Sequence, residues 1–99
     1  MQFDLTASIT LHSAGPHYRK GPTPSNYFSC PLRIQGQFFD CRILLQNVGS
    51  ISPGETVEAP VKFLSPENAL PLLHIGSTFD LWEAGIIGVG HVLSFQNDT

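Results

Sequence analysis

The sequences ISPGETVEAPVKFLSP, residues 51–66, and IIGVGHVL, residues 86–93, are the most informative about the fold of this chain. The first stretch opens with a Pro-Gly turn and continues as an alternating strand. Its apolar positions are Val57, Ala59, Val61 and Phe63. The second stretch alternates in the same way, and we expect one face of it to point inward, with Gly88 and Gly90 on the other face. The residues assigned to that inward face are Ile87, Val89, His91, Leu93 and Phe95.

The rest of the sequence also predicts short strands. Residues 3–11 alternate apolar and polar side chains without interruption, and residues 27–34 and 37–45 form two more strands joined at a glycine turn, Gln35-Gly36. Leu70 to Ile75 and Phe79 to Trp82 supply two further short segments. No window has a helical period, so six or seven strands with regular turns predict an all-β domain, a closed barrel or a sandwich.

The tight turn at Gln35-Gly36 fixes which residues of its two strands face each other. In a two-residue hairpin, Cys30 lies directly opposite Cys41. Pro31 cannot donate to a strand ladder and marks an edge or a bulge, and Pro60 should face an unpaired side for the same reason. Whether Cys30 and Cys41 touch depends on the absence of a bulge at Pro31.

Length and composition favour a binding protein. Ninety-nine residues form one domain, and the charged share of 13% is low, which favours contact with a protein partner or with a second copy of the chain. The net charge is -3: residues 1–43 carry four basic and two acidic side chains, whereas residues 44–99 carry one basic and six acidic ones. This balance argues against a general nucleic-acid surface, which needs several cations on one face.

The chain is expected to be a cytoplasmic protein without a membrane segment. It has no run of 18 apolar residues, and its N-terminus lacks a basic segment followed by an apolar block. Two cysteines are too few for a disulfide framework, which favours a reducing compartment and two structural thiols, with a redox pair as the alternative.

The residues that carry chemistry give no catalytic or metal site. The four histidines, His12, His17, His74 and His91, are separated by 5, 57 and 17 residues, which matches no ligand spacing. His91 is expected in the core or at its rim. No serine has a nucleophile context, and we expect no enzyme activity, no cofactor and no metal.

The long loop over residues 13–26 is the candidate contact surface, because it combines cations with aromatics. The alternative is an ordinary solvated loop, with Tyr27 and Phe28 plugging the mouth of the barrel. The predicted partner-binding residues are Tyr18, Arg19, Lys20, Tyr27, Arg33 and Arg42. Replacing Arg19 and Lys20 by alanine is expected to weaken binding without changing stability. Trp82 is interpreted as a cap on the barrel, with an anchor in an interface as the alternative, and residues 96–99 as a polar tail.

In this order the features resemble the C-terminal β-barrel domain of the elongation factor Tu family. The resemblance rests on GPTP at residues 21–24 followed by Tyr27-Phe28, on the hairpin IQGQ at 34–37, on the turn PGETV at 53–57 and on the strand IGVGHV at 87–92. It covers nearly the whole chain. It implies a small closed six-stranded antiparallel barrel which, in the full factors, holds a GTPase domain and touches aminoacyl-tRNA and the exchange factor.

The chain also departs from that family. An arginine usually precedes the last strand, whereas Glu83-Ala84-Gly85-Ile86 occupies the place here. Contact with tRNA is therefore disfavoured. No phosphate-binding Gly-x-x-x-x-Gly-Lys-Ser/Thr sequence is present, so we expect no GTPase activity.

Two main functions follow as hypotheses, and a third, an RNA binder related to translation, is disfavoured by the negative net charge. The first is a non-catalytic binding module that docks on a protein partner, with a role in translation implied by the resemblance. The alternative is a small acidic immunity or antitoxin protein that covers the basic active site of a toxin or nuclease. Its acidic residues would be Glu55, Glu58, Glu67, Asp80 and Glu83.

Overall fold

The computed structural model describes residues 2–96 and shows a closed antiparallel barrel of six strands. The strands are β1 (Leu5–Leu11), β2 (Tyr27–Ile34), β3 (Gln37–Leu44), β4 (Thr56–Phe63), β5 (Thr78–Trp82) and β6 (Ile86–Phe95). Around the barrel they follow the order β1-β4-β3-β2-β5-β6, and β6 pairs with β1 to close the ring. The predicted all-β fold and the closed six-stranded barrel are confirmed. Residues 97–99 of the predicted polar tail lie outside the described part of the chain.

The alternation of side chains builds the core. In β1, every second residue from Leu5 to Leu11 is buried, as the period of two predicts. In β4, Ala59, Val61 and Phe63 are buried in the same manner. Because the sheet closes on itself, these inward faces meet in one apolar cluster along the barrel axis.

The hairpin of β2 and β3 has the predicted register. Gln35 and Gly36 both adopt a positive φ, 51° and 79°, which is the type I′ turn that a two-residue hairpin favours. Cys30 is paired with Cys41, and the ladder continues through Pro31 opposite Asp40 without a bulge.

Pro31 and Pro60 each lie at a point where their strand is paired with a neighbouring strand on one side only. β2 pairs with β5 only over residues 32–33, so residues 27–31, including Pro31, have no partner on that side. β3 and β4 pair over residues 41–43 and 61–63, and Pro60 lies just beyond this short ladder. The edge interpretation of both prolines is confirmed, and the hairpin is joined to the rest of the barrel by two short ladders.

The predicted inward face of β6 is correct at Ile87, which is buried, and wrong at Val89 and His91. Val89 and His91 are exposed, whereas Gly88, Gly90 and Val92 are buried. Each of the two ladders of β6 contains one bulge. Ile87 is the extra residue in the ladder with β5, and Leu93 is the extra residue in the ladder with β1. Each bulge reverses the face on which the following residues lie. The glycines on the inward face allow β1 to approach closely, since a Cβ on Gly88 would lie 2.5 Å from the carbonyl oxygen of Thr10.

The segment Leu70 to Ile75 is not a strand. A short helix, α1 (Pro66–Ala69), is followed by a 3₁₀ turn over Leu70–Leu72. Pro66 and Pro71 both occupy first-turn positions, where the fixed φ of proline suits a helix and its missing N–H is not needed. Ala69 and Leu73 are buried, so this segment contributes to the apolar cluster.

Candidate functional site

The 13–26 loop is fastened to the turn between β5 and β6. The imidazole of His17 donates through Nε2 to the carbonyl oxygen of Glu83 at 2.6 Å. Its ring lies against Gly85, where a Cβ would come within 2.8 Å of it. Only glycine allows this contact, because Gly85 also has a φ of 154°. The loop is therefore held in place at its centre.

Arg19 is the main anchor of the loop. Its guanidinium donates to both carboxylate oxygens of Glu83, at 3.0 and 2.7 Å, and lies 5.0 Å from the ring centroid of Phe28. It also donates to the carbonyl oxygens of Gly21 and Pro22. Because only 22% of its side chain is exposed and its guanidinium makes these internal contacts, Arg19 contributes to the stability of the fold. We therefore expect its removal to lower stability, contrary to the sequence-based expectation of unchanged stability.

Thr23 is a second anchor, which the sequence did not reveal. The residue is buried, its backbone N–H donates to the carbonyl of Ile51, and its Oγ1 accepts from the backbone N–H of Ile51 at 2.9 Å. The hydroxyl donates in turn to the carbonyl oxygen of Pro24. These hydrogen bonds join the loop to the segment before β4. The sequence around Thr23 indicates only a turn and gives no sign of this contact.

The six predicted partner-binding residues do not form one surface. Lys20 lies over the ring of its neighbour Tyr18, with 5.0 Å between Nζ and the centroid. Arg33 lies 3.4 Å from Asp80 on β5. It is six residues along β2 from Tyr27, which corresponds to about 20 Å at ~3.3 Å per residue. Tyr27 and Arg42, by contrast, are in direct contact.

The outer surface of β2, β3 and β4 carries the most developed candidate site, which we call the Arg42 face. It comprises Tyr27, Arg42, Leu44, Lys62 and Leu64. The guanidinium of Arg42 lies 4.9 Å from the ring centroid of Tyr27, and Arg42 is directly opposite Lys62 in the β3–β4 ladder. Tyr27 and Leu64 are 41% and 65% exposed. The strand alternation places the first four side chains on the outside of the barrel, and Leu64, which directly follows β4, is exposed as well.

Pockets adjoin Arg42 on both sides. One, of about 360 Å³, is lined by Tyr27, Leu44 and Lys62, with Asn26 and Gln46 at its margin. A second, of about 350 Å³, contains Lys62 and Leu64. The site therefore offers two cations between apolar surfaces, a composition typical of protein interfaces.

Three of these residues were not in the predicted set. Leu44, Lys62 and Leu64 belong to segments that the sequence reads as ordinary strands. Only the pairing of β3 with β4 places them beside Tyr27 and Arg42. The alternation alone indicates that Lys62 points outward, but it does not indicate which strand lies next to it.

A separate aromatic patch lies near the turn of the hairpin. Phe38, 52% exposed, packs edge to face against Trp82, with 5.1 Å between ring centroids and a 72° interplanar angle. Trp82 thus lies on the outer surface of the barrel, beside the ion pair of Arg33 and Asp80. This position differs from the predicted one, in which Trp82 caps the end of the barrel.

The two cysteines are free and buried. The thiol of Cys41 donates to the carbonyl oxygen of Cys30 at 3.3 Å. The pKa of Cys41 is raised well above that of an ordinary thiol, first by hydrogen bonding with the side chain of Cys30 and second by burial. A thiol held in the neutral form is a poor nucleophile, which fits a structural role for Cys41.

Within residues 2–96, no group of three or more His, Cys, Asp or Glu side chains is placed to hold a metal ion. The same part of the chain contains no helix that is long and apolar enough to cross a membrane. A comparison with models of known protein families finds none that matches the sequence, and a comparison with curated proteins finds no match either.

Proposed function

We propose that this chain is a non-catalytic protein-binding module that docks on its partner through the Arg42 face. The observation that carries the proposal is the arrangement at Arg42: an exposed tyrosine beneath an arginine, a lysine directly opposite, and apolar pockets on both sides. Tyr and Arg are among the residue types enriched where interface energy is concentrated. The surface is formed by three strands, β2, β3 and β4.

A role related to translation is part of the proposal. It is supported by the likeness of the sequence to the barrel domain of the elongation factor Tu family and by the closed six-stranded barrel. Such a barrel binds other protein surfaces in the full factors. We propose the cytoplasm as the compartment, since both cysteines are free thiols.

The acidic immunity or antitoxin role has less support. Two of its five residues are already in ion pairs, Glu83 with Arg19 and Asp80 with Arg33. Glu55 and Glu67 flank β4 at opposite ends, and the strand between them spans about 25 Å at ~3.3 Å per residue. These positions do not give one acidic surface with free carboxylates.

Affinity capture from an extract of the source cells tests the proposal. The folded chain is immobilised and exposed to extract, with and without nuclease treatment, at low and at physiological salt, and the captured proteins are identified by mass spectrometry. Tyr27→Ala probes the Arg42 face, and Phe38→Ala is the matched control, since both remove an exposed aromatic ring from the same hairpin. Thermal unfolding confirms that both variants are folded.

We expect capture of a defined protein that Tyr27→Ala reduces at least tenfold and Phe38→Ala leaves unchanged. Recovery of a translation GTPase would support the role in translation. A basic partner that is lost at physiological salt and is insensitive to Tyr27→Ala would instead support the acidic alternative. Unchanged capture by Tyr27→Ala, or capture that depends on nucleic acid, would overturn the proposal.

A further inference from the structure

The Arg42 face holds two cations that lack an acidic partner. Of the five basic residues, Arg19 and Arg33 are in ion pairs, and Lys20 lies over Tyr18. Arg42 and Lys62 make no ion pair within residues 2–96, although the chain has more acidic than basic side chains. Their direct opposition in the β3–β4 ladder is unfavourable for the isolated barrel, because like charges across a ladder repel. A carboxylate placed between them would remove that repulsion.

The same face has apolar side chains at regular intervals on either side of the cations. Tyr27 is opposite Leu44 in the β2–β3 ladder, and Arg42 is two residues from Leu44 along β3. Leu64 follows Lys62 by two residues and donates through its backbone N–H to the carbonyl oxygen of Asp40 at 3.1 Å. The outer surface therefore presents three successive rows about 6.6 Å apart at ~3.3 Å per residue: an apolar row with Tyr27 and Leu44, a cationic row with Arg42 and Lys62, and a row in which Leu64 lies opposite the exposed Asp40.

An extended peptide has the same spacing. Its side chains at positions i, i+2 and i+4 point to one side and are also about 6.6 Å apart. We propose that the Arg42 face binds an extended segment of a partner protein with the pattern apolar-x-Asp/Glu-x-apolar. The acidic side chain would lie between Arg42 and Lys62, and the apolar side chains would contact Leu44 and Leu64. This inference rests on the proposed function and specifies the chemistry of the partner.

A protein segment fits these residues better than a nucleic acid does. The guanidinium of Arg42 covers the ring of Tyr27, so this ring face is not free to stack on a base. Two neighbouring cations on a chain of net charge -3 also give a small electrostatic gain with a phosphate backbone. The apolar side chains of Leu44 and Leu64, by contrast, have no counterpart in a sugar-phosphate chain, and Asp40 beside Leu64 would repel a phosphate.

Synthetic peptides test the pattern without a known partner. The probe is Gly-Ser-Leu-Ser-Glu-Ser-Leu-Ser-Gly, compared with the same peptide carrying Gln for Glu and with a permuted peptide in which Glu is moved to the first apolar position. Binding is followed by amide shifts in NMR spectra of the labelled chain. We expect the Kd of the probe to be about tenfold lower than that of either control, with shifts concentrated at residues 27, 41–44 and 61–64.

Two lysine variants distinguish this site from general charge. Lys62→Gln should raise the Kd of the probe about fivefold, whereas Lys20→Gln, which removes the same charge elsewhere, should change it less than twofold. Equal effects of the two variants, equal binding of the three peptides, or tighter binding of a single-stranded oligonucleotide at the same residues would overturn the inference. If the peptides fail while partner capture still depends on Tyr27, the proposed function stands and only the acidic pattern is rejected.

Discussion

Gly90→Ala provides a direct test of which face of β6 points into the barrel. A Cβ at position 90 would lie 2.6 Å from two ring carbons of Phe79 and 2.8 Å from the carbonyl oxygen of Ser8. Carbon atoms normally pack about 3.5–4.0 Å apart, so the ring would have to retreat by roughly 1 Å. Phe79 is buried in a close-packed core, and Ser8 belongs to the backbone of β1. Neither group can move freely.

The expected loss of stability is large for a single methyl group. Overpacking a core typically costs about 1–3 kcal/mol, and we expect the upper value, about 3 kcal/mol, because two separate elements resist the displacement. In a domain of this size, 1 kcal/mol changes the Tm by about 4–8 °C, so the Tm should fall by about 12–24 °C.

Urea and thermal unfolding followed by circular dichroism measure this effect. Gly21→Ala is the matched control, because a Cβ there meets no atom within 4 Å, and it should change the free energy of unfolding by less than about 0.5 kcal/mol. If Gly90→Ala is as stable as Gly21→Ala, Gly90 does not face Phe79 and the inward assignment of β6 is wrong.

Three further predictions concern the anchors of the loop and the buried thiol. Arg19→Ala and Glu83→Ala should each lower the free energy of unfolding by about 1–2 kcal/mol, with a coupling of about 0.5–1 kcal/mol in a double-mutant cycle, because the pair is partly exposed; full additivity would show that the ion pair contributes nothing. Thr23→Val should cost about 1–3 kcal/mol in urea unfolding, since it leaves a buried backbone N–H without its acceptor. Thr23→Ser, which keeps that acceptor, should recover most of the loss, and a Thr23→Ser variant as unstable as Thr23→Val would contradict this role. Stability should fall as the pH rises above about 8.5, because the unfolded chain then releases the Cys41 proton while the folded chain, in which the pKa of Cys41 is raised, retains it. Cys41→Ala should flatten that alkaline slope in urea titrations, and an unchanged slope would assign it to other groups.

The fold was largely predictable from the sequence because its signals are local. The alternation in residues 5–11 and 56–63 depends only on each strand, and the type I′ turn at Gln35-Gly36 fixes its own register. The position of Cys30 opposite Cys41 followed from that turn. The inward face of β6 was not predictable in the same way, since two bulges, which arise from pairing with β5 and β1, reverse the alternation.

The candidate site depended more on tertiary structure. Tyr27 and Arg42 were in the predicted set, but Lys62 joins them only because β4 pairs with β3, a contact between distant parts of the chain. Arg19 has the composition expected of a contact residue, yet Glu83, 64 positions away, turns it into an anchor. The charge of an arginine is evident in a sequence, whereas the location of its counter-ion is a property of the folded chain.

The short ladder between β3 and β4 links ligand binding at the Arg42 face to the closure of the barrel. It covers only residues 41–43 and 61–63, and the hairpin is held on its other side by an even shorter ladder, over residues 32–33 and 80–81. The hairpin is therefore the element most easily detached from the barrel, and amide hydrogens at these two seams should exchange before those of β1. A ligand that touches both Arg42 and Lys62 spans one of the seams. Its binding would slow hydrogen exchange across the junction, so that occupancy of the outer surface and closure of the barrel become thermodynamically linked.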